Sequence, residues 1–144
     1  MQNNHRIQEI LNTLNKRKEE NKLNYYQPYK FQKSFHQAGS ESNQRLLMAA
    51  NRVGKSYVGA MEMAAHLTGL YPKWWTGKRY NQPIKAWVCG ASNETTRDIC
   101  QKELFGQPDN PRDKGKGSIP KHLIGETTRK PGVPNAFGLI GNEA

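Results

Sequence analysis

The stretch that most constrains the fold of this chain is residues 49–56, AANRVGKS, which lies between an apolar run and a helical pattern. Gly54, Lys55 and Ser56 match the end of the phosphate-loop pattern GxxxxGK[ST], in which backbone N–H groups cradle phosphates at a helix N-terminus. The first glycine of that pattern falls on Ala49, so the match is partial. Because the mechanism needs a strand before the loop and a helix after it, the context predicts a nucleotide-binding loop. The alternative is an ordinary basic turn.

The chemistry of such loops assigns roles to two side chains. The lysine, here Lys55, reaches the β- and γ-phosphates, and the hydroxyl of Ser56 ligates Mg²⁺. ATP and Mg²⁺ are therefore the predicted cofactors. The predicted nucleotide-binding residues are Gln32, Ala50, Asn51, Arg52, Val53, Gly54, Lys55, Ser56 and Tyr57.

Gln32 lies upstream of the loop within an aromatic cluster that includes Tyr29, Phe31 and Phe35. A glutamine amide can both donate a hydrogen bond to adenine and accept one from it, and a neighbouring aromatic ring can stack on the purine. This pattern favours Gln32 as an adenine reader. The alternative is that the glutamine and the aromatic residues belong to a short core helix.

The order of the predicted elements indicates an α/β fold. Residues 44–50 and 84–90 are short apolar runs typical of buried strands, and each precedes a helical pattern, residues 55–67 and about 93–105. This alternation predicts a P-loop NTPase-type parallel sheet flanked by helices, here incomplete. Polar residues after the second strand, Ser92, Asn93 and Glu94, are expected either near the phosphate loop or as helix caps.

The chain is predicted to divide into three regions. Residues 1–24 form an amphipathic helix whose apolar stripe docks on the core or contacts DNA or a partner. Residues 25–105 form the partial ATPase core, and residues 106–144 are a basic Gly/Pro-rich surface loop and a truncated end.

Composition narrows the class of partner. The formal net charge of +10 favours a polyanion, nucleic acid first, over a merely solvated basic surface. The two cysteines and four histidines have no metal-ligand spacing, so no zinc site is expected. The sequence has no signal peptide and no apolar run long enough for a membrane span, which predicts a soluble protein of the host cytoplasm.

Three stretches together resemble the N-terminal ATPase domain of phage terminase large subunits: residues 29–36 (YKFQKSFH), 46–56 (LLMAANRVGKS) and 86–98 (AWVCGASNETTRD). Terminases of this kind are ATP-driven motors that pump double-stranded DNA into a procapsid. The resemblance implies that Lys55 contacts the β- and γ-phosphates, that Ser56 ligates Mg²⁺ and that Gln32 reads adenine. It also implies that Arg52 is an in-loop arginine that stabilises or senses the transferring phosphoryl group; the alternative is a surface charge. The implied partners are double-stranded DNA, the portal protein, the small terminase subunit and further copies of the chain.

One expected feature of a P-loop motor is missing. Such motors carry an acidic pair at the end of a later apolar strand, where the aspartate orients Mg²⁺ and the glutamate activates water. No apolar run after Ser56 ends in Asp-Glu, and Glu143 is a poor candidate. The chain is therefore expected to bind ATP without efficient hydrolysis by itself, as the front part of a terminase. A P-loop nucleotide- or DNA-binding fragment without turnover and a helicase-like fragment are the alternatives.

Overall fold

A computed structural model of the protein describes residues 2–125, 127–129 and 137–139. The described elements are mostly helical. Helix α1 spans Gln2–Glu20 and is followed by a 3₁₀ turn, Lys22–Tyr25, helix α2, Lys30–Ala38, and helix α3, Lys55–Thr68. A second helical stretch consists of α4, Asn93–Thr95, a π-helical segment, Thr96–Gln101, and α5, Lys102–Phe105. Two further 3₁₀ turns, Pro111–Asp113 and Lys121–Leu123, precede strands β1, Thr127–Arg129, and β2, Phe137–Leu139.

Helix α3 is the centre of the core, as its apolar pattern predicts. Its buried face carries Val58, Met61, Ala64 and Ala65, each fully buried. The residues that pack with this face come from the first 3₁₀ turn and the residue after it, the loop after α3, helix α5 and the segment that follows α5: Leu23, Tyr26, Trp75, Leu104, Phe105 and Ile119. The helix ends at Gly69, which takes a left-handed φ of 70° and donates its N–H to the carbonyl of Ala65.

The predicted α/β fold with a parallel P-loop sheet is wrong. Residues 44–50 and 84–90 form no strand, and the sheet that the described residues contain is an antiparallel pair in which Thr128 of β1 lies opposite Gly138 of β2. The apolar runs are exposed instead of buried: Leu46 and Met48 are each 82% exposed, and Trp87 is 89% exposed. An apolar run becomes a central strand only where neighbouring strands take up its backbone hydrogen bonds, and no such neighbours lie within the described ranges.

The structure adds detail to the regions on either side of the predicted core. Helix α1 forms where its pattern indicates, but its apolar stripe does not dock on the core, since Ile7, Ile10, Leu11 and Leu14 are 41–54% exposed. The region predicted as a surface loop after residue 106 instead returns along α5. The N–H of Gly115 donates to the carbonyl of Phe105 at 2.7 Å. None of the helices in the described part of the chain is long and apolar enough to cross a membrane.

Candidate functional site

The loop that precedes α3 makes a sharp left-handed turn into the helix. Gly54 is the N-cap residue of α3, with φ 86° and ψ 28°, and Arg52 has a positive φ of 64°. Glycine adopts this region without steric cost, whereas a positive φ is uncommon for an arginine. Within the described residues, the N–H groups of residues 51–54 donate no backbone hydrogen bond. The loop therefore presents free donors at the N-terminus of a 14-residue helix.

Lys55 lies across the start of this loop. Its Nζ donates hydrogen bonds to the carbonyl oxygens of Ala49 and Ala50, each at 2.7 Å. The ammonium group is thus held above the turn by neutral acceptors instead of by a carboxylate. Together with the positive end of the helix dipole, it makes the loop a site that favours an anion.

The other predicted loop residues are open to solvent to different degrees. Ala50, Asn51, Arg52 and Ser56 are exposed, whereas Val53, Gly54, Lys55 and Tyr57 are partly buried. The Arg52 guanidinium makes no hydrogen bond or ion pair with any described residue. It is therefore available to an incoming anion, although its position alone also fits a surface charge.

Gln32 lies next to this loop, although it belongs to α2. Its side chain is 2% exposed, and its Oε1 accepts a hydrogen bond from the backbone N–H of Tyr29 at 2.9 Å. A Cβ atom added to Gly54 would lie 3.2 Å from Nε2 of Gln32. The structure therefore brings together two parts of the predicted site that are 22 residues apart in the sequence.

The aromatic neighbours of Gln32 divide into two groups. Tyr29 and Phe31 are exposed, with stacked rings whose centroids are 6.4 Å apart. Tyr26 is buried, and its hydroxyl lies 3.4 Å from Oε1 of Gln32. An exposed ring could stack on a base, whereas the hydroxyl of the buried tyrosine reaches only protein groups, Oε1 of Gln32 and, at 3.1 Å, Nε2 of His36.

A buried charged cluster, formed by Glu62, His36, Arg45 and His66, lies behind Gln32. Nδ1 of His36 is 2.8 Å from Oε2 of Glu62, Nε2 of His66 is 3.5 Å from Oε1, and the Arg45 guanidinium donates to both carboxylate oxygens. Arg45 also donates to the carbonyl of Phe35 at 2.7 Å. The cluster therefore ties α2, α3 and the segment that leads into the phosphate loop together.

Two pKa shifts follow from this arrangement. Burial raises the pKa of Glu62, but hydrogen bonds from His36, His66 and Arg45 outweigh it and hold that pKa well below the ordinary value of 4.5. Burial raises the pKa of Tyr26 well above its ordinary value, with smaller contributions from Tyr57 and Glu62. At neutral pH the carboxylate is therefore a charged acceptor, and the phenol keeps its proton.

This cluster was not predicted from the sequence. The histidines are scattered along the chain, and only Glu62 and His66 share a four-residue helical spacing. The one sequence signal for the cluster is Glu62 itself, a charged residue between Met61 and Met63 in an otherwise apolar part of the helix.

Ser92, Asn93 and Glu94 were expected either beside the phosphate loop or as caps. Oγ of Ser92 accepts the N–H of Thr95 at 3.1 Å, which makes it the N-cap of α4. A groove of about 350 Å³ does run from Ser56 between α3 and the second helical stretch, but Ser92, Asn93 and Glu94 do not line it. The capping interpretation is therefore the one that the geometry supports.

The chain is similar to known proteins over most of its length. The family described as "Terminase large subunit, T4likevirus-type, N-terminal" matches residues 46–141. The terminase large subunit of Salmonella phage P22 is 38% identical over 122 residues, which cover 76% of this chain and 24% of that protein. The chain thus spans about a quarter of the length of this curated relative. No solved structure matches the chain.

These matches agree with the resemblance carried by the loop and its flanking stretches, and they favour it over a helicase-like fragment. The family match includes all of residues 49–56, and it extends through the second helical stretch. The chain belongs to the terminase large subunit family, of which it represents the N-terminal part.

Proposed function

We propose that this chain is the nucleotide-binding part of a terminase large subunit, the ATP-driven motor that packages double-stranded DNA into procapsids. Family membership supports the motor assignment, and the geometry of the loop before α3 supports the nucleotide assignment. The observation that carries the proposal is the Lys55 ammonium group, hydrogen-bonded to the carbonyls of Ala49 and Ala50 over a left-handed glycine that opens a long helix.

The residues of the loop fit a triphosphate. Among the described residues, the N–H groups of residues 51–54 have no backbone acceptor and would be available to phosphate oxygens, and Lys55 would exchange its two carbonyl acceptors for charged ones. Hydrogen bonds to a charged acceptor are stronger than those to a neutral one, so this exchange favours the bound state. Arg52, exposed at the turn, supplies a planar cation that bridges two phosphoryl oxygens.

Ser56 is the residue that fits Mg²⁺. Its hydroxyl lies exposed in the first turn of α3, and Mg²⁺ takes oxygen ligands from one or two protein groups together with phosphates and waters. When bound, the ion neutralises charge on the β- and γ-phosphates. The sequence after Ser56 contains no apolar run ending in Asp-Glu, so the chain alone binds ATP with little hydrolysis.

The charge balance supports DNA as the second partner. A formal net charge of +10 in 144 residues attracts a polyanion, and release of condensed counterions makes such binding strongly salt-dependent. The portal protein, the small terminase subunit and further copies of the chain belong to the same proposal as the other parts of the motor.

Nucleotide binding is tested by titrating the chain with ATP in the presence of Mg²⁺, using calorimetry. We expect Lys55→Ala to weaken binding about 10- to 100-fold, since a hydrogen bond to a charged group contributes about 1.5–3 kcal/mol. Lys73→Ala is the matched control, because it removes an exposed lysine in the loop after α3. Equal affinities for the wild-type chain and Lys55→Ala would refute the site.

A further inference from the structure

The positive charge of the chain is concentrated in its middle part. Residues 21–93 contain ten lysines and arginines and two carboxylates, whereas the rest of the chain contains twelve lysines and arginines and ten carboxylates. One of the two carboxylates, Glu62, is buried and already shared by Arg45 and two histidines. The other, Glu41, is exposed and makes no ion pair with a described residue. The exposed cations of this part therefore have almost no carboxylate to neutralise them.

The loop after α3 lies against α2. The rings of Trp75 and His36 have centroids 4.7 Å apart, and a Cβ atom added to Gly77 would collide with the carbonyl oxygen of His36. The loop is also closed on itself, since Nε1 of Trp75 donates to the carbonyl of Lys78 at 3.0 Å. This packing holds the backbone that carries Lys78 and Arg79 beside α2.

Three exposed cations of α2 and this loop lie over aromatic rings. The pairs, with the distance from the cation to the ring centroid, are Lys33 with Trp74 at 5.8 Å, Lys78 with Tyr80 at 5.4 Å and Arg79 with Tyr71 at 5.1 Å. The rings form one connected cluster. Trp75 joins Trp74 to Tyr71, with centroid distances of 5.8 and 5.4 Å, and His66 joins Tyr71 to Tyr80, at 5.8 and 5.0 Å. The three cations therefore surround a single aromatic cluster.

Lys30 extends this set, because it is exposed and lies three residues before Lys33 on the same face of α2. We call Lys30, Lys33, Lys78 and Arg79 the basic surface. None of them makes an ion pair with a described residue. A ring beneath a cation restrains its position but leaves its charge unneutralised. The rings themselves are partly buried and covered by a cation, so they are poor platforms for stacking a base.

We propose that the basic surface binds the sugar–phosphate backbone of double-stranded DNA. This inference rests on the proposed function, in which DNA is the second partner, and it names the surface that DNA contacts. Restrained cations without carboxylate partners fit a duplex, which carries one negative charge per about 1.7 Å of its axis. Contacts to phosphates position a protein on DNA without reading its sequence, so binding is independent of sequence.

The test measures the affinity of the whole chain for a labelled duplex by fluorescence anisotropy at several salt concentrations. The test variant combines Lys30→Gln, Lys33→Gln, Lys78→Gln and Arg79→Gln. Each phosphate contact contributes about 0.9 to the slope of log K against log salt concentration. Loss of four contacts should therefore reduce the magnitude of the slope by about 3–4 and the affinity by at least about 10-fold.

The matched control removes the same amount of charge from α1. It combines the substitutions Arg6→Gln, Lys16→Gln, Arg17→Gln and Lys18→Gln, all at exposed positions of a helix that also carries three glutamates. Because charges away from the bound phosphates are screened by salt, it should change the affinity less than about 3-fold.

A charge-conserving variant of the basic surface separates a loss of charge from a loss of packing. It combines Lys30→Arg, Lys33→Arg, Lys78→Arg and Arg79→Lys, and it should bind the duplex like the wild-type chain. Weak binding by this variant would contradict contact through charge alone.

The remaining outcomes separate this surface from the proposed function. Equal losses in the basic-surface and α1 variants would overturn the assignment of the surface, because net charge alone would then explain binding. Unchanged affinity in the basic-surface variant, or tighter binding of a single strand of the same length, would also overturn it. If the wild-type chain bound no duplex even at about 50 mM salt, the DNA partner and the surface would both be wrong. Lys55-dependent binding of ATP would still support the nucleotide site in that case.

Discussion

The backbone of Gly54 comes so near the carboxamide of Gln32 that a side chain on this glycine would crowd the amide. A Cβ on Gly54 would lie 3.2 Å from Nε2 of Gln32, and the φ of 86° at this residue is itself unfavourable for other residues. The base-side and phosphate-side parts of the proposed site thus meet at one backbone position. Any side chain there disturbs both the turn and the amide.

Gly54→Ala should therefore destabilise the protein and weaken ATP binding. Because an alanine is strained in the left-handed region, the substitution should lower the free energy of unfolding by about 1 kcal/mol. Urea denaturation measures this change. Gly59→Ala is the matched control within α3, because a Cβ there meets nothing within 4 Å. It should stabilise the protein by about 0.5–1 kcal/mol, since alanine is the better helix former. Stabilisation by both substitutions would contradict the left-handed cap.

Glu62 should be essential for stability. Glu62→Ala leaves Arg45, His36 and His66 without their shared carboxylate, and breaking such a buried ion pair costs about 3 kcal/mol. Glu41→Ala removes an exposed carboxylate and should change the unfolding free energy by less than about 0.5 kcal/mol. Similar small effects for both variants would show that the cluster does not hold α2 and α3 together.

The same carboxylate predicts a pH dependence. The pKa of Glu62 is lowered in the folded protein, so below its ordinary value of 4.5 the unfolded chain takes up this proton more readily. The stability that Glu62 contributes is fully present above about pH 4.5 and decreases as the pH falls towards the lowered pKa. Urea denaturation at several acidic pH values should show this loss in the wild-type chain. Glu62→Gln should show a flatter profile over the same range, and an equally steep one would contradict the assignment.

Substituting two tryptophans, one buried in the core and one in an exposed apolar segment, should have very different effects on stability. Trp75 is 5% exposed and packs on His36 with a centroid distance of 4.7 Å, so Trp75→Ala should cost about 3–5 kcal/mol. Trp87 is 89% exposed, and Trp87→Ala should have an effect below about 0.5 kcal/mol. Urea denaturation gives both values. A large loss for Trp87→Ala would indicate that residues 84–90 are buried after all.

The local elements were predictable from the sequence because their signals are local. The apolar spacing of α3, its stop at Gly69 and the Ser92 cap all depend on residues within a few positions of one another. The parallel sheet was not a local feature. Leu46 and Trp87 belong to apolar runs that resemble strands, but a run cannot specify a pairing partner.

One part of the candidate site could be predicted from local sequence, and the other part depends on tertiary packing. The part of the site around Lys55 and Ser56 could be predicted from a motif of eight positions. Gln32 could be predicted as a neighbour of this motif because it lies shortly upstream of it in the sequence. The partnership of His36 with Glu62 spans 26 residues and depends on how α2 packs on α3. No spacing rule in a single sequence specifies such a contact, so only the three-dimensional structure shows it.

The central claim is that residues 49–56 bind the phosphates of a nucleotide, and it is tested most directly by backbone amide NMR during titration with ATP and Mg²⁺. The largest chemical-shift changes should fall on the N–H groups of residues 51–56 and should disappear in Lys55→Ala. Lys73→Ala should reproduce the wild-type pattern. If the largest changes fell elsewhere in the chain, or persisted unchanged in Lys55→Ala, the loop would not be the site of triphosphate binding.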